Sequence, residues 1–393
     1  MELLLETAGE SHGQSLVAIL AGLPAGSPAD TAYIDGRLAA RQRGRGNSAR
    51  QRTERDTVEL LAGVRDGLTT GNPIALSIAN RDTRYAHLPP VHAPRPGHAD
   101  LAGALNRGLV DVRDVIERAS ARETAVRVAA GALAAAFLEA LGVHVVGHVV
   151  AVGGVDVAAE PGLDLEAARA TRDASDLHAL GPATAQDEAR AAIDAAGRDG
   201  DTLGGVVEVV ATGVPAGLGG HERPEGKLSA GLAAALMGIP AVRGMDIGLG
   251  FRAAALRGSA VHDPIMPAPD GRVPARAGNA AGGIEGGTSN GQPIVVRAAM
   301  KPLATLRQAL PSVDLRDGTQ APARVERSDV CAVSRCAIVA EAVVALEIAR
   351  HVRRRFGGAH LDEVRTAIAA HRARVEALLA GSTPGLPEVG TPS

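Results

Sequence analysis

Apolar and polar positions alternate in blocks along this chain. Short runs rich in Val, Ile and Leu at 3–7, 16–20, 58–64, 74–78, 143–152, 206–211 and 294–298 predict β-strands. Longer stretches with helical spacing at 29–41, 122–141, 228–237, 337–355 and 362–379 predict α-helices. Ser27-Pro28 offers a capping hydroxyl followed by proline at a first helical position, a helix start. Gly142 offers a stop just past Leu141. Strands mixed with long helices give an α/β or α+β class. No Gly/Ser-rich linker divides the chain, so one large domain over 1–381 is expected. The tail 382–393, rich in Pro, Gly and Thr, is expected to be disordered.

The pattern repeats. Gly22-Leu23-Pro24-Ala25-Gly26 returns as Gly213-Val214-Pro215-Ala216-Gly217, and Thr70-Gly71-Asn72-Pro73-Ile74 returns loosely as Asn290-Gly291-Gln292-Pro293-Ile294. Arg118-Ala119-Ser120 and Arg327-Ser328-Asp329 each precede an Ala/Val-rich helix. The pairs keep their order at similar offsets, which suggests two related halves with a site where they meet. Turn dipeptides are common, so chance recurrence is an equal alternative on this evidence.

Composition narrows the class. The chain has 393 residues and a net charge of -3, and it lacks Trp. Its core must therefore be built from Ala, Val, Leu and Ile. The balanced charge gives no global bias towards nucleic acid or an acidic membrane surface. Cys331 and Cys336 suggest neither a disulfide framework nor a metal site, and both read as small buried residues. No apolar run reaches the ~20 residues that span a bilayer, and Met1 to Glu6 lack a basic leader region. A cytoplasmic protein is expected, with no metal, nucleic-acid or membrane partner.

Chemistry concentrates in a few segments. Gly9-Glu10-Ser11-His12-Gly13 and Arg95-Pro96-Gly97-His98-Ala99-Asp100 each hold a histidine in a glycine-containing turn, with Asp100 placed to cap a following helix. Histidine exchanges a proton near neutral pH, and two such turns suit acid–base work. The first segment also fits G-x-S-x-G, the nucleophile elbow of serine hydrolases, but too little chain precedes it for that fold. From Arg37 to Arg55 seven arginines face one acid, Glu54. Guanidinium forks bind carboxylates and phosphates. A nucleic-acid binder using this run is the competing reading, weakened by the scarcity of aromatic stacking residues. The glycine-rich loop 282–291 followed by Lys301 can approach a phosphate or a flat ring closely. His144 and His148 fall in an apolar strand with no third ligand at metal-site spacing and read as core or edge residues.

Taken together, the segments 9–24, 95–100, 117–133, 200–208, 282–294, 301–305 and 327–341 resemble one family, chorismate synthase, in the family's own order. The resemblance implies a β-α-β sandwich core, usually in a homotetramer. It implies anti 1,4-elimination of phosphate from 5-enolpyruvylshikimate 3-phosphate to give chorismate. The reaction needs reduced FMN and causes no net redox change. Some family members reduce their own flavin with NADPH and others need reduced FMN supplied; the missing arginine and ordinary length of this chain favour the second type, with NADPH as an indirect reductant and a separate flavin reductase as a partner. By the same resemblance His12 would protonate the departing phosphate, His98 would protonate the flavin, and Asp329 would assist proton removal. Ser11 and Ser120 would hold these groups by hydrogen bonding. Arg41, Arg50, Arg122 and Arg327 would clamp anionic groups. Arg118, Ala119, Ser120, Ala241, Gly286, Lys301, Pro302, Leu303, Ala304, Thr305 and Arg327 match positions that line the flavin.

The chain departs from the family pattern in four places. Asn47 stands where an arginine linked to anion or nicotinamide-nucleotide contact is usual, and Pro240 where many members have asparagine. Thr288 replaces a common methionine, and the segment 80–94 is short and without tryptophan.

Overall fold

The computed structural model describes residues 2–47, 55–267, 275–326 and 328–379. Arg50, Arg327 and the tail 382–393 lie outside the described residues. The chain order is best followed in two halves. The first contains strands β1 (Leu4–Ala8) and β2 (Ser15–Ala21), helix α1 (Thr31–Gln42), and strands β3 (Glu59–Ala62) and β4 (Ile74–Ala79). Helices α2 (Asp100–Arg107), α3 (Arg113–Arg118) and α4 (Thr124–Glu139) follow. The second half contains β5 (His144–Val152), the short β6 (Val155–Asp156), α5 (Leu165–Ala174), α6 (Ala183–Asp199), β7 (Gly205–Thr212), α7 (Leu228–Met237), β8 (Val242–Ile247), β9 (Ile294–Met300), α8 (Val333–Phe356) and α9 (Leu361–Leu379).

Two antiparallel sheets enclose a helical layer. The first runs β1-β2-β4-β3 and the second β8-β9-β7-β5-β6. In β2 and β4 the alternation expected of a half-buried strand holds: Leu16, Ala18, Leu20, Ile74, Leu76 and Ile78 are all buried. Their register, with Leu20 opposite Ile74, turns all six towards the helices. In contrast, β5 is buried on both faces. Val146, Val210 and Leu165 form a cluster on its far side, where α5 packs, while α8 covers the near side. That double cover explains the unbroken apolar run read at 143–152. Helix α8 is buried on nearly every side, because it packs against α4, α7, β5 and β7 together.

The recurrence in the sequence is a recurrence in hydrogen bonding. Gly26 N donates to Thr69 O at 2.9 Å, and Gly217 N to Ser289 O at 2.8 Å. Thr69 Oγ1 donates to Pro24 O at 2.5 Å, and Ser289 Oγ to Pro215 O at 2.6 Å. Ser27 N donates to Thr69 Oγ1, and Leu218 N to Ser289 Oγ. Each half therefore has two strands, a helix, two strands and a long central helix, with the same sheet order. The two central helices, α4 and α8, cross at small residues. A Cβ added to Gly131 would lie 2.5 Å from Ala342 Cβ and 2.7 Å from its backbone. Gly131→Ala should therefore force the two helices apart and cost about 1–3 kcal/mol, read as a lower urea midpoint with an unchanged m-value. An unchanged midpoint would show that the crossing yields freely.

Several expectations need correction. Helix α1 starts later than Ser27-Pro28: Asp30 is the cap, accepting from Ala32 N at 2.9 Å. The Ser27 hydroxyl is buried and donates to Pro24 O instead. Asp100 does not cap α2 but is its first residue, turned back towards Arg95 and His98. The predicted helix over 122–141 splits into a 3₁₀ turn (Ala121–Glu123) and α4, which ends at Glu139. Strand 58–64 is shorter than expected, and β8, α5 and α6 were not foreseen. Alanine carries little hydrophobic contrast, so the stripes of α5 and α6 are faint. Arg243, Gly244 and Asp246 interrupt the pattern of β8.

Candidate active site

A cavity of about 840 Å³ opens where the halves meet, at the upper end of the size usual for small-molecule sites. The turn between β1 and β2, the end of α3 and the start of α4 form one side. The turn from α7 into β8, residues 300–301 and 303–305, and the start of α8 form the other. Ser11, His12, His98, Arg118, Ala119, Ser120, Arg122, Ala241, Lys301, Leu303, Ala304, Thr305 and Asp329 all reach its wall. Cationic side chains outnumber acids there. No described helix is long and apolar enough to cross a membrane.

His12 is held by Glu117. Its Nδ1 lies 2.8 Å from Glu117 Oε2, and its backbone N donates to the same oxygen at 3.0 Å. Glu117 is buried on α3 and pairs with Arg113 one turn earlier. Burial pushes its carboxyl up, but hydrogen bonding and charge from His12, with Arg113, hold it below its ordinary value. An ionised Glu117 requires the proton on His12 Nδ1. Nε2, 3.9 Å from Asp82 Oδ2, is then the nitrogen that exchanges protons.

His98 repeats the device. Its Nδ1 lies 2.5 Å from Asp100 Oδ1, and Arg95 donates to Asp100 from N at 3.0 Å and from Nε at 2.9 Å. Burial raises the Asp100 carboxyl, yet His98 and Arg95 together hold it far below its ordinary value. Arg95 Nη1 also donates to Thr305 Oγ1 at 2.9 Å, and Lys301 Nζ donates to Gly97 O at 2.8 Å. These bonds tie the histidine turn to the segment 301–305 of the other half. Burial, with the charge of Arg243, lowers the Lys301 ammonium. Ala241 has φ +70°, a left-handed conformation rare for a residue with a Cβ. It is the third residue of a turn closed by Val242 N to Ile239 O, with Pro240 second, and its carbonyl accepts from Lys301 N at 3.0 Å.

The arginines divide by role. Arg122 Nη1 reaches both oxygens of Asp56 at 2.7 and 2.6 Å, and its Nε donates to Asn80 Oδ1. Arg41 lies behind the wall, donating to Thr124 Oγ1 and Ala121 O. Burial lowers its guanidinium, and neighbouring Arg335 adds to that, but arginine stays charged at neutral pH. Arg118 is tied to Thr7 and Gly9. Arg37 pairs with Glu341 at 3.3 Å and Arg45 with Asp194 at 2.6 Å, so these two arginines are each taken up by an acid of another segment. Ser120 Oγ caps the following turn by accepting from Arg122 N. Asp329 lies 2.9 Å from Arg335.

Besides Arg41, two of the residues expected at the flavin lie off the wall. Gly286 sits in the Ile284–Glu285 and Thr288–Ser289 hairpin against Gly219, and it is not on the cavity wall; nor is Pro302. The loop 282–291 is the counterpart of the 63–70 hairpin in the first half. Sequence reasoning missed the orienting role of Glu117, the pairing of Asp100, and Arg335. The Arg113/Glu117 spacing of four on one helix face was the available signal for the first. Ser11 sits in a turn between antiparallel strands, not between a strand and a helix, so the hydrolase elbow is not formed. His148 is buried beside Glu208 at 3.2 Å, and both cysteines are buried.

Comparison with known proteins supplies the remaining evidence. The chorismate synthase family profile matches residues 3–352. A chorismate synthase from Symbiobacterium thermophilum is 50% identical, covering 91% of this chain and 95% of that protein. One from Mycobacteroides abscessus is 48% identical, covering 93% and 92%. A crystal structure of chorismate synthase superposes with a TM-score of 0.78 at 35% identity, covering 96% of this chain and 99% of that one.

Proposed function

The chain belongs to the chorismate synthase family, and from that premise we propose how its cavity carries out the reaction. The enzyme is a lyase that eliminates phosphate from 5-enolpyruvylshikimate 3-phosphate to give chorismate. The observation that carries our reading is the paired histidine device, two imidazoles each fixed through Nδ1 by a buried, ionised carboxylate in one basic cavity. Phosphate is a poor leaving group until it is protonated or paired with cations. His12 delivers a proton to it from Nε2, Ser11 holds it by hydrogen bonding, and Arg122 offsets the charge of the substrate's anionic groups. Asp329, paired with Arg335 on the second half's wall, assists proton removal at the flavin and substrate.

The family is flavin-dependent, and the residues present fit such a cofactor. Arg118 to Ser120, Ala241, Lys301 and Leu303 to Thr305 come from distant parts of the chain yet share one wall. The left-handed Ala241 turn and the Lys301 ammonium give it a tight backbone surface and a cation. Reduced FMN, when bound, supplies transient electron donation with no net redox change. His98 maintains a proton beside it. We take its electrons to come from NADPH through a separate reductase, and the working form to be a cytoplasmic homotetramer. An anaerobic assay with photoreduced FMN and 5-enolpyruvylshikimate 3-phosphate tests this reading. Chorismate absorbance and released phosphate should rise together only with the reduced flavin. Equal product with oxidised FMN would refute it.

A further inference from the structure

The guanidiniums of Arg122 and Arg335 on the cavity wall and of Arg41 behind it lie close together, those of Arg41 and Arg335 buried and that of Arg122 half-buried. Among the described residues they share two carboxylates, Asp56 and Asp329. Arg122 is taken up by Asp56 and Asn80, and Arg41 by Thr124 and Ala121. Arg335 differs. It lies on the cavity wall in the first turn of α8, and its Nη2 donates to Asn47 Oδ1 at 3.1 Å beside Asp329. Among the described residues its buried Nε has no acceptor. A cation in the first turn faces the positive end of the helix and is disfavoured there. Burial beside two other guanidiniums adds to that cost. An arginine kept in such a place needs an anion that the described residues do not fully provide.

We propose that Arg335 is an anion-binding residue of this site, taking an anionic oxygen of the phosphorylated, dicarboxylated substrate. It supplies from α8 the guanidinium that position 47 lacks. Asn47 is too short to reach an anion as an arginine would, and instead braces Arg335 through its side-chain oxygen. The charge has moved from the loop to the helix that adjoins it. This inference rests on the cavity being the substrate site of a chorismate synthase.

The test compares Arg335→Met, Arg335→Lys and the double variant Arg335→Met/Asn47→Arg with the wild type. Calorimetric affinity for 5-enolpyruvylshikimate 3-phosphate is measured beside kcat and KM. Arg335→Met should weaken binding roughly 10- to 100-fold, and it should also lower the melting temperature, because Asp329 loses its buried partner. Arg335→Lys should lose less, and Asn47→Arg should restore part of the loss. Unchanged affinity in Arg335→Met, or a fall in kcat alone, would overturn the proposal; the latter would leave Arg335 only positioning Asp329. If Arg335→Met does not fold, the lysine variant decides: affinity equal to a buried-volume control such as Cys336→Ala, with no gain from Asn47→Arg, refutes the proposal. A wild type that binds the substrate but forms no chorismate would instead refute the reading of function.

Discussion

His12→Ala is expected to lower turnover by about 10²–10⁴-fold, the range usual for loss of a positioned general acid, while flavin binding persists. The imidazole is oriented through two bonds to one oxygen of Glu117, so Nε2 is presented without reorganisation at the moment of reaction. Glu117→Gln removes the charge but keeps the shape, and it should produce a smaller loss with an altered pH profile, since an amide no longer favours the proton on Nδ1. His98→Ala should also lower turnover, because its pairing with Asp100 is of the same kind. The check is anaerobic steady-state kcat beside a flavin titration. Full turnover in both alanine variants would remove the acid–base assignment, and loss of flavin binding with turnover would make the histidines structural.

The largest effect on stability is expected at Arg172. Glu341 lies in the middle of α8, buried, and accepts from Gly147 N at 2.8 Å. Burial would raise its carboxyl, but Arg172, Arg37 and Arg169 bring it down to about 2. Arg172, itself fully buried, bonds both Glu341 and Gly147 O. Removing one partner of a buried pair leaves the other charge uncompensated, so Arg172→Met should cost about 3–5 kcal/mol at pH 7. The sign with pH follows from the lowered folded value. Glu341 contributes stability above its unfolded value of about 4.3, and that contribution is lost as pH falls towards 2. Urea unfolding should therefore show the gap between wild type and variant narrowing from pH 7 to pH 3. A gap independent of pH would mean that Arg172 acts by packing, not by charge.

Much of the architecture was legible because its signals are local. Every strand of the two sheets with a clean apolar run was found, with ends close to those observed. The recurrence of Gly-Pro turns marked a repeated hydrogen-bond pattern around Thr69 and Ser289, since the same turn needs the same residues. Elements whose side chains give no contrast were not legible. Helices α5 and α6 are mostly alanine with charges, and Asp100 reads as a cap until its distance to His98 is known.

By itself the sequence determined most of the strands and the long helices and, through its motifs, the family and its chemistry, while it left the doubled topology as one of two open readings. These depend on periodicity and on residue types set by backbone geometry, which are properties of short segments. Only the tertiary structure decided which charges meet. Glu117 reaches His12 across 105 positions, and Arg335 reaches Asn47 across 288. It also decided that Arg41 supports the wall and that Arg335 stands on it. Electrostatic pairing acts through space and fades over a few ångströms, so it becomes readable only once the two halves have closed around the cavity.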